Sequence, residues 1–236
     1  QGLEGLAGIE EEKEAVSIGA LTTMTELAAS GIIKKWAPSL ASAALQMGNP
    51  LVRNRATLGG NLADASPAAD SAPPLLSLEA VIHTVQAGGA KRQIPVERFF
   101  AGPNRTVLAG EELIARVTFP KPKDPSKSAY IKLGLRNASA ISVVSIALLL
   151  ETEGAVCRKA RVSLGSVAPT PMRAYGVEKA LEGKETSETL KRACGDMIKQ
   201  EISPISDIRA SAEYRRWTAS VLFRRAIQTA LEGGRA

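Results

Sequence analysis

The longest apolar stretch of the sequence runs from Val143 to Leu150 and is interrupted only by Ser145. It is far shorter than the roughly 20 apolar residues that a membrane-spanning helix needs, and no other stretch comes closer to that length. A short, continuous apolar run is typical of a strand that is covered on both faces. The stretch therefore predicts a buried strand that other elements must enclose from two sides.

Strands come first and helices afterwards in the residues around this run. Further strands are predicted at Ala129–Leu135 and Ala160–Val167, with a turn at Glu153 and Gly154. Helices are then predicted at Ala174–Leu181, at Thr189–Glu201, and from Ser211 to about Leu231. Strands followed by helices indicate an α+β fold with an antiparallel sheet.

The residues before position 120 also combine helices and strands. Thr23 and Glu26 have the spacing of a capping box, which opens a helix. A second helix starts near Pro38 and ends at Gly48. Strands are predicted at Val16–Ala20, Leu78–Gln86, Lys91–Val96 and Glu112–Phe119. The Pro- and Lys-rich stretch 121–127 is predicted to be a linker, so we expect one domain at residues 1–122 and another at 127–236.

Composition excludes several classes of function. The net charge is +6, but the basic residues are spread along the chain and aromatic residues make up only 4%, so nucleic-acid binding is not expected. Cys157 and Cys194 are the only cysteines, too few for an iron–sulfur cluster or a four-cysteine zinc site. They are expected to be free, buried thiols in the reducing cytoplasm. His83 is the only histidine and lies in a predicted strand, so no metal site or catalytic triad is expected.

The segment from Asn54 to Asp70 carries the strongest functional signal. Gly59 and Gly60 allow a turn with positive φ, in which successive backbone N–H groups can form a nest for a phosphate. Asp64 and Asp70 can accept hydrogen bonds from ribose-like hydroxyls. The segment is expected to lie in a loop, since Asn49 and Pro50 break the preceding helix, and Pro67, Pro73 and Pro74 are expected to keep the residues after it out of regular helix. From the residues alone, a nucleotide-cofactor site and an ordinary Gly-rich turn both stay open, because the segment is neither a P-loop nor a Gly-x-Gly-x-x-Gly motif.

The same segment resembles the second FAD-binding motif of the flavoprotein subunits of molybdenum hydroxylases, the family of xanthine dehydrogenase and aerobic carbon monoxide dehydrogenase. The resemblance extends over essentially the whole chain. Further matching motifs follow in the family's order at 73–76, 99–103, 111–114, 130–134, 140–144, 164–171 and 207–215. It implies the second lobe of a two-lobed FAD-binding domain, followed by a C-terminal antiparallel sheet with packed helices.

The resemblance also assigns roles to individual residues. Contacts to the FAD phosphates and ribityl chain are implied for Ala56, Thr57, Gly59, Gly60 and Asn61, and contacts to the sugar-like portion for Asp64 and Asp70. Leu113 and Ile114 resemble an apolar pair near the flavin ring, and residues 136–141 resemble the loop at its face. Lys132 resembles a lysine that approaches the isoalloxazine, with an exposed strand lysine as the alternative. No catalytic side chain and no metal ligand is expected in this chain.

The function that the resemblance implies is an FAD-dependent electron-transfer subunit. Its partners would be an iron–sulfur subunit and a molybdopterin subunit, which would carry those cofactors. A scaffold subunit without flavin and a stand-alone flavin oxidoreductase are the alternatives. Family members carry an additional N-terminal FAD lobe, which we expect to be either truncated here or supplied by another chain. Without that lobe, apolar surface is expected to be exposed at Val16, Ile18 and the face from Leu40 to Met47.

Overall fold

Two antiparallel sheets organise the molecule. The computed structural model describes residues 5–123 and 126–233, which we call the N-terminal and C-terminal regions. Each region has its own hydrophobic core and its own sheet. The α+β fold predicted from the sequence is confirmed. None of the helices within these residues is long and apolar enough to cross a membrane.

The strands of the N-terminal sheet are β1 Ile9–Glu11, β2 Ala15–Gly19, β3 Val81–Gln86, β4 Lys91–Pro95 and β7 Glu112–Pro120. Their order in the sheet is β1-β2-β7-β3-β4. The central strand β7 pairs with β2 on one side and with β3 on the other, and β3 and β4 form the predicted hairpin, with Gly89 at a φ of 81° in the turn. A separate small hairpin consists of β5 Phe100–Gly102 and β6 Arg105–Thr106.

Short helices cover this sheet. They are α1 Met24–Ala29, α2 Gly31–Trp36, α3 Pro38–Gln46, α4 Pro50–Arg53, α5 Leu58–Asp64 and α6 Ala72–Ser77, with a 3-10 turn at Val96–Arg98. The predicted capping box is confirmed: Thr23 Oγ1 accepts from Glu26 N at 3.2 Å, and Thr23 N donates to the Glu26 carboxylate at 2.7 Å.

Two sequence expectations for these helices are wrong. The glycine segment does not lie in a loop, because residues 58–64 form α5. Pro73 and Pro74 do not prevent a helix either, because they lie in the first turn of α6. A proline is tolerated there, since the first N–H groups of a helix have no partner within the helix.

The prediction that Val16, Ile18 and Leu40 are exposed is also wrong. Val16, Ile18 and Leu40 are completely buried, in a core that they share with Met24 and Leu27. Helices α1 and α3 pack on each other, so these side chains are enclosed within the chain itself.

The strands of the C-terminal sheet are β8 Ser126–Leu133, β9 Val144–Glu153, β10 Val156–Gly165, β11 Met172–Arg173 and β12 Lys184–Glu185. Their order in the sheet is β11-β10-β9-β8, with β12 paired to β10. The helices are α7 Tyr175–Leu181, α8 Glu188–Glu201 and α9 Ala212–Leu231. The linker prediction at 121–127 includes residues 124 and 125, which lie outside the described residues.

Strand β9 confirms the prediction made from its apolar sequence. Ile146 and Leu148 belong to the core that the C-terminal sheet shares with α7, α8 and α9. On the opposite face, Ala147 packs with Ala43 of α3, and Leu149 joins the N-terminal core. Successive side chains of a strand point to opposite faces, so one strand contributes to both cores.

Candidate cofactor site

An open cleft of about 370 Å³ lies where the two regions meet. One side is formed by residues 47–49 and Val52, and another by the segment from Asn61 to Asp70. Residues 139–141 of the C-terminal region form the remaining wall of the cleft. A second opening, of about 260 Å³, shares Ala140 with the cleft and is lined by Lys132 and Arg136. The volume of the cleft falls within the usual range for small-molecule sites.

The loop at the C-terminal side of the cleft is tied to the N-terminal region. Asn49 Nδ2 donates to Ser139 Oγ at 3.1 Å, and Ser139 N donates to Gly48 O at 3.0 Å. Ser139 has a φ of 51°, in the left-handed region that few non-glycine residues adopt. Two hydrogen bonds therefore hold the loop in an uncommon conformation at the cleft wall.

The N-terminus of α5 is anchored inside the protein. Leu58 N donates to Thr22 O at 3.0 Å, Gly59 N donates to Ala20 O at 2.8 Å, and Gly60 N donates to Thr57 Oγ1 at 3.0 Å. Neither glycine has a positive φ. The expected nest of free N–H groups at Gly59 and Gly60 is therefore wrong, because the fold itself uses these donors.

The two glycines have different surroundings. A Cβ atom on Gly59 would lie 2.8 Å from Ala20 Cβ and 2.9 Å from Ala20 O, so Gly59 allows α5 to approach the end of β2. Gly60 is exposed, and a Cβ atom there would meet only Thr57 Oγ1, at 2.9 Å. Gly59 is thus required by packing, while Gly60 leaves bare backbone on an exposed surface.

Ala56 and Thr57 lie at this same helix start, away from the cleft lining. Ala56 O accepts from Met24 N at 2.9 Å, and Thr57 caps α5. The predicted phosphate-contacting residues thus divide into a group at the start of α5 and Asn61, which lines the cleft.

Asn61 and Asp64 lie on the cleft side of α5. Asn61 Oδ1 accepts from Ser71 Oγ at 2.6 Å, while the side chain of Asp64 is exposed. The helix ends at Ala65, which has a φ of 50°. Asn104 binds this end by donating from Nδ2 to Asp64 O at 3.0 Å and from N to Ala65 O at 2.9 Å.

Asp70 is buried and joins the two regions. Its Oδ1 accepts from Tyr130 Oη at 2.9 Å and from Ser142 Oγ at 2.7 Å, and its Oδ2 lies 2.6 Å from Lys132 Nζ. We call these four residues the Asp70 cluster. Burial, and then the charge of Asp70, raise the pKa of Tyr130 well above its usual value, so its hydroxyl stays protonated and donates.

Lys132 is not an exposed strand lysine, so that alternative is wrong. Its side chain is only 6% exposed, and Nζ lies 3.4 Å from Gln46 O at the end of α3, in addition to its bond with Asp70. The cation therefore borders the second opening while it is paired with a carboxylate that borders the cleft.

Leu113 and Ile114 are not brought to the cleft. Both lie on β7, where Leu113 is exposed and Ile114 is buried in the N-terminal core. Neither belongs to the residues that line the cleft or the second opening.

Tyr130 and Ser142 have no role among the expectations drawn from the sequence motifs. A signal for Tyr130 was present, because residues two apart on a strand share a face and Lys132 was already a candidate. No local pattern indicates that Ser142 meets Asp70, since 72 positions separate them.

The two cysteines are free and buried, as predicted, and the histidine lies in strand β3. Cys157 and Cys194 are free and buried, and burial raises the pKa of the Cys157 thiol to about 11, which keeps it unreactive. His83 Nε2 lies 2.8 Å from Thr118 Oγ1 of the neighbouring strand. Within residues 5–123 and 126–233, His, Cys, Asp and Glu side chains do not form a group of three that could hold a metal ion.

Comparison with known families assigns both regions. Residues 1–122 match the FAD binding domain in molybdopterin dehydrogenase, and residues 129–230 match the CO dehydrogenase flavoprotein C-terminal domain. The chain belongs to the molybdopterin dehydrogenase flavoprotein family. The family resemblance of the sequence motifs is therefore confirmed. Membership of this family supports FAD as the cofactor and indicates that the chain is part of an oxidoreductase complex.

Individual members of this flavoprotein family resemble the chain along most of its length. The xanthine dehydrogenase FAD-binding subunit of Escherichia coli O157:H7 is 30% identical over 221 residues, which cover 93% of this chain and 75% of that protein. The carbon monoxide dehydrogenase medium chain of Hydrogenophaga pseudoflava is 32% identical over 226 residues, covering 95% of this chain and 78% of that protein.

Solved structures of the flavoprotein family have the same fold. A chain of carbon monoxide dehydrogenase from Hydrogenophaga pseudoflava superposes with a TM-score of 0.93 at 31% identity, covering 98% of this chain and 80% of that chain. A chain of quinoline 2-oxidoreductase from Pseudomonas putida 86 superposes with a TM-score of 0.91 at 26% identity, with the same coverage.

Proposed function

We propose that this chain is the FAD-binding, electron-transfer subunit of a molybdenum hydroxylase. The observation that carries the proposal is the cleft between the two regions, which combines carboxylate, amide and hydroxyl groups and adjoins a second opening lined by the buried ammonium of Lys132. Such groups suit a ligand with hydroxyls and a polar ring edge. Bound FAD would supply the chemistry, since a flavin accepts electrons singly and passes them on in pairs.

We propose that FAD is held by Asn61, Asp64 and Asp70 at the cleft and by Lys132 at the adjoining second opening. The amide of Asn61 and the exposed carboxylate of Asp64 offer partners for hydroxyl groups. Lys132 would stabilise negative charge that develops on the cofactor when it is reduced. Because Lys132 is paired with Asp70, this charge is held at one position instead of moving with a flexible side chain.

Ala56, Thr57, Gly59 and Gly60 form a second proposed contact region at the start of α5. Gly60 supports this proposal, because its exposed backbone leaves room for close approach of a ligand. Leu113 and Ile114 are proposed on the resemblance alone, and Leu113 is the one with exposed apolar surface to offer.

We further propose an iron–sulfur subunit and a molybdopterin subunit as partners, in the cytoplasm, and domains at residues 1–122 and 127–236. Relatives are medium chains, and one is a subunit of a dehydrogenase complex, which supports an assembly of several chains. The two buried free thiols suit a reducing compartment. The separate cores of the two regions support the domain division.

Flavin binding by the purified protein tests this function. The flavin absorption spectrum and the ratio of FAD to protein are measured for the wild type and for Gly60→Val. The Val side chain should reduce FAD occupancy severely while circular dichroism and the unfolding midpoint stay near those of the wild type.

Ala63→Val is the matched control, because Ala63 is exposed on the same helix and belongs to neither of the two proposed contact regions. It should retain FAD. A folded wild-type protein that takes up no FAD, alone or with its native partners, would refute the proposal and favour a scaffold role.

A further inference from the structure

The two hydroxyl groups that donate to Asp70 have no role in the proposed function. Tyr130 Oη and Ser142 Oγ both donate to Oδ1, at 2.9 and 2.7 Å, which leaves Oδ2 to Lys132 Nζ at 2.6 Å. One carboxylate oxygen is thus occupied by neutral donors and the other by the cation. This division fixes the rotation of the carboxylate about its bond to the chain.

Tyr130 is held rigidly where it donates. It lies two residues before Lys132 on β8, so both side chains leave the same face of the strand. Tyr130 is 2% exposed and packs with Ala43 of α3 and Ala147 of β9. Its position is therefore set by both regions of the molecule and not by Asp70 alone.

Ser142 is held rigidly by other contacts. It is completely buried, and its backbone O accepts from Ser166 Oγ at 3.0 Å. The next residue, Val143, donates from N to Leu133 O at 2.7 Å and accepts at O from the buried Arg215 Nη1 at 2.6 Å. The residues just before β9 thus carry the hydroxyl on a fixed support.

We propose that Tyr130 and Ser142 are positioning residues of the flavin site, which orient the Asp70 carboxylate and thereby set the position and field of Lys132. This inference rests on the proposed function and deepens it. The hydroxyl dipoles also offset negative charge on Asp70. Without them the carboxylate is more negative, attracts Lys132 more strongly, and makes the potential at the cleft less favourable for an added electron.

The test measures the FAD dissociation constant and the flavin midpoint potential in the full chain and in Tyr130→Phe and Ser142→Ala. Tyr130→Phe keeps the ring packing and removes only the hydroxyl. Each variant should weaken FAD binding by about tenfold, the effect expected if the displaced Lys132 loses one hydrogen bond to the cofactor. Each should also lower the midpoint potential, and the double variant should lower it further.

Two variants serve as matched controls, because they remove the same kinds of bond between the regions at a distance from the cleft. Tyr175→Phe removes the hydroxyl that donates to the Glu97 carboxylate, and Ser163→Ala removes a buried hydroxyl that donates to Pro73 O at 2.5 Å. Any general loosening of the contact between the regions would appear in these variants too. Both should leave the midpoint potential unchanged.

The outcomes separate this proposal from the function on which it rests. Normal FAD affinity and potential in both Tyr130→Phe and Ser142→Ala would overturn the positioning role while leaving FAD binding intact. Equal shifts in the controls would overturn it as well, and a wild type that binds no FAD would overturn both proposals. If Tyr130→Phe fails to fold, Ser142→Ala decides the matter, because the two act on the same oxygen.

Discussion

The two ends of helix α6 carry carboxylates that both bind the C-terminal region but do so in different surroundings. Asp70 precedes the helix and is 6% exposed, with two hydroxyls and one ammonium around it. Glu79 follows the helix, and its side chain is 39% exposed. It lies within 4 Å of three cationic side chains, which belong to Lys159, Arg161 and Arg173. We call these four residues the Glu79 cluster.

The clusters differ in how many other carboxylates each cation can pair with. Arg173 also pairs with Glu178 at 2.7 Å, and Arg161 also pairs with Glu151 at 3.2 Å. Lys132 has Asp70 as its carboxylate partner, with a more distant backbone oxygen at 3.4 Å. Loss of Glu79 therefore leaves its cations paired or hydrated, while loss of Asp70 leaves a buried cation without a counter-charge.

The largest effect is expected for Asp70→Ala. The substitution leaves Lys132 buried without its carboxylate, and two buried hydroxyls without their acceptor, so the free energy of unfolding should fall by about 3–5 kcal/mol. Urea unfolding at neutral pH measures this loss. Asp64→Ala, exposed on the same cleft, is the control and should change the free energy by less than about 0.5 kcal/mol. A loss below about 1 kcal/mol for Asp70→Ala would show that the Asp70 cluster does not stabilise the protein more than the Glu79 cluster does.

A smaller effect is expected for Lys132→Met, which keeps the apolar stem and removes the charge. Asp70 retains its two hydroxyl donors, so the cost should be about 1–3 kcal/mol, as for a lost hydrogen bond to a charged group. The flavin midpoint potential should also fall. Lys159→Met, in the Glu79 cluster, provides the comparison and should leave both quantities close to their wild-type values; equal effects of the two variants would contradict the contrast between the clusters.

A still smaller effect is expected for Glu79→Gln, about 0.2–1 kcal/mol, because exposed ion pairs are screened by water. Salt sharpens the comparison with Asp70. At about 1 M salt the Debye length is about 3 Å, so the difference between the wild type and Glu79→Gln should shrink. The loss of stability in Asp70→Ala should persist at the same salt concentration, since buried pairs are screened much less. If it shrinks as much as the loss in Glu79→Gln, the pair of Asp70 and Lys132 is not shielded from solvent.

The smallest expected effect concerns acid. Partial burial raises the pKa of Glu79, but the attraction of Arg161 and the hydrogen bond from Arg173 outweigh it, so the pKa lies below its usual value of 4.5. A carboxyl whose folded-state pKa is depressed contributes stability above the unfolded-state value and loses it as the pH falls through the folded-state value. Below about pH 4.5, Glu79→Gln should therefore lose less stability than the wild type, by a few tenths of a kcal/mol after screening. Parallel stability curves for the two proteins would refute this assignment.

Local patterns predicted much of the fold because their causes are local. Thr23 and Glu26 are three residues apart and form the capping box wherever the helix lies. The strands of both sheets follow apolar runs and turn residues. Local patterns failed at Pro73 and Pro74, where the position of a proline within the helix decides whether it is tolerated. They also failed at Gly59, where the lack of a Cβ atom makes room for Ala20, a residue far away in the sequence.

The sequence by itself determined that β9 is a strand covered on both faces, since a continuous apolar run cannot leave either face in water without a large cost. The family motifs of the sequence also determined the cofactor class and the candidate site residues. Only the tertiary structure decided that Asp70 is a buried junction and that Lys132 is paired. The partners of Asp70 come from positions 60 to 72 residues further along the chain, so the packing of two regions, and no neighbouring residue, brings them within hydrogen-bond distance.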